Sequence, residues 1–416
     1  MAITDKEEGV WELDQVYNKQ NEGDIWDYDG ITAWFTMGKN TDGQSGLNSG
    51  YVPAAYNTLS YSSPTQLPAG TSTWSKISSN SGRFFFGLKT DNTAWAWGQN
   101  TQGSLGINLS PPWPTVSANR SSPVQIGTDT NWSSNWTNED SSALWIKTDG
   151  TLWSWGANPS GNLGLNTGGS PTNQYSSPTQ VGTDTTWSQI HTGGGSTTAL
   201  KTDGSLWIWG SNFRGQLGLN QTHNTAFRSS PVRIGTSTDW SSIGASSNAK
   251  FALKTDGSLW TWGGDQYGRL GRNTVDVNIS SPTQLGTDTT WDKFGSGYSH
   301  VLAVKTDNTL WSWGYNPFGN LGLNDQGPGG STSRSSPTQV PGTNWSQVAS
   351  GYLTSAATKT DGTLWTWGEN EGGQMGHNTS GSPSAGAISS PTQVGTDTGW
   401  ADPAATREEF FIKRIL

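Results

Sequence analysis

Apolar and polar residues alternate along short segments of the chain, and each segment ends at a turn. In TALKTDGSLWIWG, residues 198–210, the alternation runs on both sides of Asp203 and Gly204, a pair typical of a tight β-hairpin. In the second strand of this hairpin, Leu206 and Trp207 face opposite sides. The pattern predicts short antiparallel strands and no helix.

The hairpin belongs to a unit of about 54 residues that the chain repeats seven times. The tripeptide SSP occurs seven times, and WxWG occurs six times with a degraded seventh copy, FTMG, at 35–38. In each unit a lone tryptophan precedes a lysine by 13–15 residues. The lone tryptophan, the two arms of the hairpin and the SSP segment each mark one strand. Repeated four-stranded units predict an all-β fold, a seven-bladed β-propeller of four-stranded antiparallel blades.

The last unit is incomplete. It has Trp400 and the strand FFIKRIL at 410–416, and the chain then ends. Segments resembling its missing parts occur at 31–48 and 62–67. We therefore predict that the last blade is composite, built from both termini, with Lys413 at the position of the repeat lysine. The predicted organisation is an N-terminal docking arm, residues 1–30, followed by the propeller, residues 31–416.

Composition narrows the classes of function. Charged residues make up 13% of the chain, which contains 55 Gly and 25 Trp and has a net charge of −9. The negative charge argues against nucleic acid as a partner. No apolar run approaches a membrane span of about 20 residues, so we expect no membrane insertion. Because the chain has 0 Cys, disulfides and thiolate chemistry are excluded. The N-terminus lacks the apolar segment of a secretory signal.

The sequence shows no catalytic, cofactor-binding or metal-binding constellation, and we predict a protein that is not an enzyme and holds no cofactor. No phosphate-binding loop, nucleophile elbow or HExxH motif occurs. The segment GGGS at 193–196 is interpreted as a loop between strands. A glycosidase needs only two well-placed carboxylates, so that possibility stays open. The four histidines occupy unrelated repeat positions, without metal-ligand spacing: His191, His223, His300 and His377.

The repeated KTD motif predicts a ring of cations, interpreted as turn chemistry in solvent. In six copies an Asp follows the lysine by two residues and suits a turn by accepting backbone N–H bonds. The lysines are Lys89, Lys147, Lys201, Lys254, Lys305, Lys359 and Lys413.

One face of the propeller is expected to vary from blade to blade. The connections between the first and second strands and between the third and fourth strands leave a blade on the same face, where inserts such as LSPPWPTVSANR at 109–120 follow the LGxN segment. Variable loops on a fixed scaffold are common binding sites, although unconstrained drift would give the same pattern. The candidate binding residues of this face are Tyr51, Tyr56, Trp113, Tyr175 and Phe227.

The segment DGSLWIWGSNFRGQLGLN, residues 203–220, followed by SSPVRIG, resembles the repeat of the regulator of chromosome condensation (RCC) family. The resemblance covers residues 31–416 and implies a seven-bladed propeller. The family includes a guanine-nucleotide exchange factor, a plant ultraviolet-B receptor and a secreted β-lactamase inhibitor, so it implies fold more than activity. Residues 1–30 are acidic, unlike the basic tail of the exchange factor, and arginine is scarcer than in the plant receptor.

The predicted arm carries a second resemblance. The segment GVWELDQVYNKQNEGDIW, residues 9–26, is similar to a short N-terminal element of virion proteins of tailed phages. The arm either packs on its own propeller or docks on another subunit, because its apolar residues would form a helix too short to be stable alone. The candidate docking residues are Trp11, Leu13, Val16, Tyr17 and Trp26.

Together these observations favour a non-enzymatic structural protein of a phage virion, a capsid decoration or a tail or fibre component. Its arm would anchor it to other virion proteins, and its variable face would bind a host-surface glycan or protein, with a homo-oligomer as a further possibility. The alternative is a cellular or secreted RCC-like protein-binding module, cytoplasmic or extracellular. Guanine-nucleotide exchange and ultraviolet reception rank below both.

Overall fold

The structure, a computed structural model of the chain, shows an all-β propeller. It describes residues 32–40, 43–47, 60–67, 74–79, 83–109, 119–168, 173–221, 227–327, 331–379, 386–406 and 409–415. Within these residues, 28 strands form seven sheets of four antiparallel strands each. The predicted seven-bladed propeller of four-stranded antiparallel blades is confirmed. The predicted arm, residues 1–30, lies outside the described residues.

The strands follow the repeat closely. In chain order they are β1 (Thr32–Lys39), β2 (Ser60–Gln66), β3 (Trp74–Ser78), β4 (Phe84–Lys89), β5 (Ala94–Gly98), β6 (Arg120–Gln125), β7 (Trp132–Glu139), β8 (Ser142–Lys147), β9 (Leu152–Ala157), β10 (Gln174–Gln180), β11 (Trp187–Gly193), β12 (Ser196–Lys201), β13 (Leu206–Gly210), β14 (Arg228–Arg233), β15 (Trp240–Ala245), β16 (Ala249–Lys254), β17 (Leu259–Gly263), β18 (Ile279–Gln284), β19 (Trp291–Ser296), β20 (His300–Lys305), β21 (Leu310–Gly314), β22 (Arg334–Gln339), β23 (Trp345–Ser350), β24 (Thr354–Lys359), β25 (Leu364–Gly368), β26 (Ile388–Gln393), β27 (Trp400–Ala405) and β28 (Glu409–Ile415). Short 3₁₀ turns lie at Thr101–Gly103 and Gln266–Gly268.

Blades 1 to 6 are β3–β6, β7–β10, β11–β14, β15–β18, β19–β22 and β23–β26, and the composite blade has the order β2-β1-β28-β27. The first strands of the blades lie next to one another around the axis. Hydrogen bonds join them: the hydroxyls of Thr137 in blade 2 and Thr192 in blade 3 are 2.9 Å apart. In the same way Ser296 Oγ in blade 5 donates to Ala245 O in blade 4 at 2.9 Å. The propeller therefore surrounds a central channel.

The composite blade joins the two ends of the chain, as predicted. Strand β1 pairs with β28 from Thr32 opposite Ile415 to Gly38 opposite Glu409. The expectation that Lys413 is the repeat lysine is wrong. The lone tryptophan of this blade, Trp400, lies opposite Arg414, and the Arg414 guanidinium lies over its ring at 5.4 Å. Arg414 follows Trp400 by 14 residues, the spacing that places Lys201 opposite Trp187 in blade 3.

The second tryptophan of each WxWG motif connects neighbouring blades. Trp209 is fully buried and donates its indole N–H to Asn162 O, in the preceding blade, at 2.9 Å. Gly164 makes this approach possible, because a Cβ there would lie 2.9 Å from Trp209 Nε1. The same indole-to-carbonyl bond is made by Trp97, Trp155, Trp262, Trp313 and Trp367.

The first tryptophan of the motif packs within its own blade instead. Trp207 is only half-buried and makes an edge contact with the lone Trp187 of the same blade, with ring centroids 5.9 Å apart. The predicted packing between sheets therefore applies to one tryptophan of each pair. The other covers the lone tryptophan from outside.

Candidate functional site

The two faces of the propeller differ in how uniform they are. We call the face with the 2–3 and 4–1 connections the turn face, and the face with the 1–2 and 3–4 connections the loop face. On the turn face each KTD aspartate caps its turn; in blade 3, Ser205 N and Oγ donate to Asp203 Oδ1 at 2.9 and 2.6 Å, and Trp207 Nε1 donates to Ser205 Oγ. The pattern recurs at Asp91, Asp149, Asp256, Asp307 and Asp361.

The repeat lysines are less exposed to solvent than the motif suggested. Lys147 is 7% exposed, and its ammonium lies 4.9 Å from the Trp132 ring centroid and 4.1 Å from that of Trp153. Its counter-ion is Asp129 at 2.7 Å, from the preceding 4–1 connection, and not the motif aspartate. Lys201, Lys254 and Lys305 are partnered in the same way, by Asp184, Asp239 and Asp288. The turn face is thus built for stability.

Replacing Lys305 with Met should destabilise the protein more than replacing Lys359. Both ammonium groups lie over two tryptophan rings, but Lys305 also pairs with Asp288 at 2.6 Å, whereas the 4–1 connection beside Lys359 contains no acidic residue. We expect losses of about 1–2 kcal/mol for K305M and about 0.5–1 kcal/mol for K359M, measured by urea unfolding. Equal losses would show that the ion pair contributes nothing.

This difference should disappear in acid. Burial raises the pKa of Asp288, but hydrogen bonds from Lys305 and Thr290 outweigh it and lower the pKa to about 2. The stability that Asp288 supplies is therefore complete above the ordinary carboxyl pKa of 3.8 and is lost as the pH falls towards 2.

The predicted loop-face residues are only partly within the described residues. Tyr51, Tyr56 and Trp113 lie outside them. Tyr175 is half-buried in β10, where its hydroxyl lies 2.9 Å from Thr167 Oγ1, and Phe227 is 40% exposed just before β14. The two belong to different blades. As binding residues they stay a prediction.

The structure shows a larger aromatic site on the loop face, between blades 4, 5 and 6. A cleft of about 820 Å³ lies there. Tyr267 and Tyr315 stack with centroids 4.1 Å apart, and Tyr298 and Tyr352 lie 4.3 Å apart. Tyr267 is 40% and Tyr298 47% exposed. Phe318 also lines this tyrosine cleft.

The floor of the tyrosine cleft carries a buried arginine. Arg269 is 1% exposed; its Nε and one terminal nitrogen donate to the carbonyl and side chain of Gln266 at 3.0 Å, and the other terminal nitrogen lies 3.4 Å from Tyr298 O. Burial lowers the pKa of Arg269. Beneath it, burial raises the pKa of Asp265, whose carboxylate accepts bonds from Leu270 N and the Thr274 hydroxyl.

Sequence reasoning missed the tyrosine cleft, although a signal was present. It compared the inserts after LGxN, whereas the cleft residues precede that segment or lie in the 1–2 turns. The dipeptide GY occurs at 297–298 and 351–352, where other copies have small or charged residues. In the repeat numbering, Tyr267 and Phe318 share one position.

A second cavity, of about 430 Å³, lies at the mouth of the central channel. The GGGS segment is the loop predicted there, and the backbone amide of Gly195 donates to Glu139 Oε2 at 3.1 Å. Lys250 Nζ donates to Gly193 O at 2.7 Å. Burial raises the pKa of Glu139 and lowers that of Lys250, and each charge opposes the shift of the other. These backbone contacts account for both buried charges structurally.

The histidines have structural environments. Burial lowers the pKa of His191 to about 4 and that of His300 to about 3. His300, read from sequence as a turn residue, begins β20, and its Nε2 lies 2.9 Å from the Ser355 hydroxyl of the next blade. Among the described residues, no group of three or more His, Asp or Glu could hold a metal ion. No helix in that part of the chain is long and apolar enough to cross a membrane.

Replacing His300 with Gln should flatten the dependence of stability on pH. The unfolded chain binds a proton at His300 below pH 6.5, whereas the folded protein does so only near pH 3. Stability is therefore complete above pH 6.5 and falls as the solution becomes more acidic. We expect H300Q to remove about 2–3 kcal/mol of the loss between pH 6.5 and about pH 4.5. Unfolding at about pH 8 gives the pH-independent cost of the substitution; parallel curves for the two proteins would contradict the assignment.

Comparison with known proteins gives a consistent family. Residues 140–408, more than half of the chain, match the RCC1-like domain. The chain is 28% identical over 244 residues to the ultraviolet-B receptor UVR8 of Arabidopsis thaliana, covering 57% of this chain and 53% of the receptor. It is 27% identical over 256 residues to human Protein RCC2, covering 54% and 48%. The chain thus spans about half the length of these relatives.

Solved structures share the fold. Prp20p of Saccharomyces cerevisiae superposes with a TM-score of 0.75 at 19% identity, covering 95% of this chain and 94% of that chain. Human WBSCR16 superposes with a TM-score of 0.76 at 18% identity, covering 92% and 98%. At these identities the likeness concerns the fold alone.

The expectation of a phage virion protein is wrong. It depended on fewer than thirty residues at the N-terminus, which lie outside the described residues. The relatives found are RCC1-like proteins of plants, mammals and yeast, and nothing among them points to a capsid, a tail or a fibre. The alternative, an RCC-like protein-binding module, agrees with these findings.

Proposed function

Because the chain belongs to the RCC1-like domain family, we propose that it is a non-enzymatic, cellular protein-binding module that contacts its partner with the loop face. The tyrosine cleft carries this proposal. Its rings are large and partly exposed, and its volume of about 820 Å³ suits the insertion of side chains from another protein. The crystal structure of Prp20p is described together with its binding to Gsp1p and histones, which supports a protein as the partner.

The chemistry of the two faces favours the loop face. Tyrosine and arginine are enriched among the residues that dominate binding energy at protein interfaces. On the turn face, in contrast, the aspartates, hydroxyls and indole N–H groups of the six KTD turns bond to one another. A turn built in this way has few free groups to offer a partner.

A photo-crosslinking experiment tests which face binds. A photoreactive phenylalanine analogue replaces Phe213, which is 56% exposed on the loop face, or Thr202, which is exposed on the turn face of the same blade. We expect the analogue at position 213, and not at 202, to capture a specific protein from cells. The partner, once identified and purified, should bind the Tyr315→Ala protein at least about tenfold more weakly. Capture from position 202 alone would reject the proposal.

The N-terminal arm is proposed as a second contact. Residues 1–30 and the propeller, residues 31–416, are treated as separate units, with Trp11, Leu13, Val16, Tyr17 and Trp26 as docking residues. Deleting residues 1–30 should weaken binding of the identified partner and leave the unfolding temperature of the propeller unchanged. If the deletion lowers the unfolding temperature and leaves binding intact, the arm packs on its own propeller.

A further inference from the structure

The tyrosine cleft is built from departures from the repeat. At the position of Asp265 the other copies have Asn; in blade 3, Asn212 Nδ2 donates to Gln221 O at 2.9 Å. Arg269 occupies a position where the other copies have Gln, Ser or Asn. Four tyrosines and Phe318 add rings to the same region. Changes concentrated in neighbouring blades indicate selection for a particular ligand and not drift of single loops.

One of these departures has an unfavourable backbone conformation. Tyr267 has φ +60°, in the left-handed region where a bulky side chain is uncommon. In that conformation its ring is 40% exposed and stacks on Tyr315. Backbone strain of this kind is concentrated at binding sites. The conformation places an aromatic surface at the opening of the cleft.

The charge of the cleft is positive, in a protein with a net charge of −9. Arg269 has five N–H donors and makes three hydrogen bonds, so two donors are unused among the described residues. Arg214 lies beside it: the exposed Arg214 side chain packs against Gly264, and its charge helps to lower the pKa of Arg269. The residues lining the cleft include no Asp or Glu.

We propose that the tyrosine cleft binds an acidic peptide segment of the partner. A carboxylate of the segment pairs with Arg269 and Arg214, and an adjacent proline or aromatic side chain packs on Tyr315 and Tyr352. Arginine binds carboxylates through paired hydrogen bonds, and tyrosine faces pack well on flat apolar groups. Asp265 does not replace the ligand, because its carboxylate already accepts bonds from Leu270 N and Thr274 Oγ1. This inference rests on the proposed function.

The test uses the full-length protein and a displayed library of random dodecapeptides. We expect the enriched peptides to carry Asp or Glu next to Pro or an aromatic residue. A synthetic peptide of the enriched sequence, measured by fluorescence anisotropy, should bind at least about tenfold more weakly when its acidic residue is replaced by the amide. Enriched peptides without an acidic residue would overturn the inference.

Variants of the protein locate the site. Arg214→Glu and Tyr315→Ala should each weaken binding of that peptide at least about tenfold, whereas Arg233→Glu, the same charge change at an exposed residue near the turn face, should leave it within about twofold. Arg214 carries the decision because it is exposed, whereas replacing the buried Arg269 puts folding at risk. Equal binding by the Arg214→Glu and Arg233→Glu proteins would overturn the inference.

The two proposals fail in different ways. If position 213 captures a partner but that partner competes with no acidic peptide, only the acidic-segment inference is wrong. If an acidic peptide binds the cleft but the partner is captured from position 202, the proposed function of the loop face is wrong.

Discussion

Truncating the chain after Ala405 should abolish the cooperative unfolding of the propeller. The truncation removes β28, which pairs with both β1 and β27. It also removes Phe410, Phe411 and Ile412, which are all buried. Burying each such side chain contributes about 1.5–3 kcal/mol, so the loss approaches the whole stability of a typical domain, about 5–15 kcal/mol.

The damage should extend beyond the composite blade. The ring of Phe411 lies 4.5 Å from that of Phe85 in blade 1, so removal of β28 exposes the next sheet as well. Thermal unfolding followed by tryptophan fluorescence, together with gel filtration, measures the effect. A protein lacking only Leu416 serves as the control. A sharp transition at the same temperature in the longer truncation would show that the chain ends do not close the ring.

Replacing Trp209 with Ala should cost about 3–5 kcal/mol, and replacing Trp207 should cost less. The two residues lie on one strand, but Trp209 is fully buried against the preceding blade and donates to Asn162 O, whereas Trp207 is half-exposed. Urea unfolding of both variants measures the difference. Trp209→Phe keeps most of the buried area and isolates the hydrogen bond, worth about 1–3 kcal/mol when its partner is left unsatisfied.

A reversed order, with Trp207→Ala the more damaging variant, would contradict the assignment of Trp209 as the contact between blades. The comparison also bears on the five other WxWG motifs, because their second tryptophans make the same bond.

The sequence predicted the fold well because each blade carries its own markers. The alternation in 198–210, the turn at Asp203 and the lone tryptophans mark strands whose pairing is local, and the incomplete last unit revealed the closure between the ends. Lys413 was misplaced because residue type was matched in preference to spacing. The 14 residues between Trp400 and Arg414 determine which side chain lies over the ring.

The binding face was predictable only as a face. The alternation of connections identifies which loops vary, but the tyrosine cleft depends on turn residues of neighbouring blades that are about 30–50 residues apart in the chain. Whether Tyr267 stacks on Tyr315 depends on the angle between blades, which no local pattern specifies. The phage interpretation failed for a different reason: it gave a short terminal segment more weight than the repeats.

Hydrogen–deuterium exchange with the identified partner tests the account most directly. Full-length protein, free and bound, is compared peptide by peptide. The account predicts protection of residues 264–271, 296–300 and 314–318, which form the tyrosine cleft, and unchanged exchange at the turn-face segment 201–205. Protection at residues 201–205, with the cleft unaffected, would contradict the claim that the loop face binds the partner.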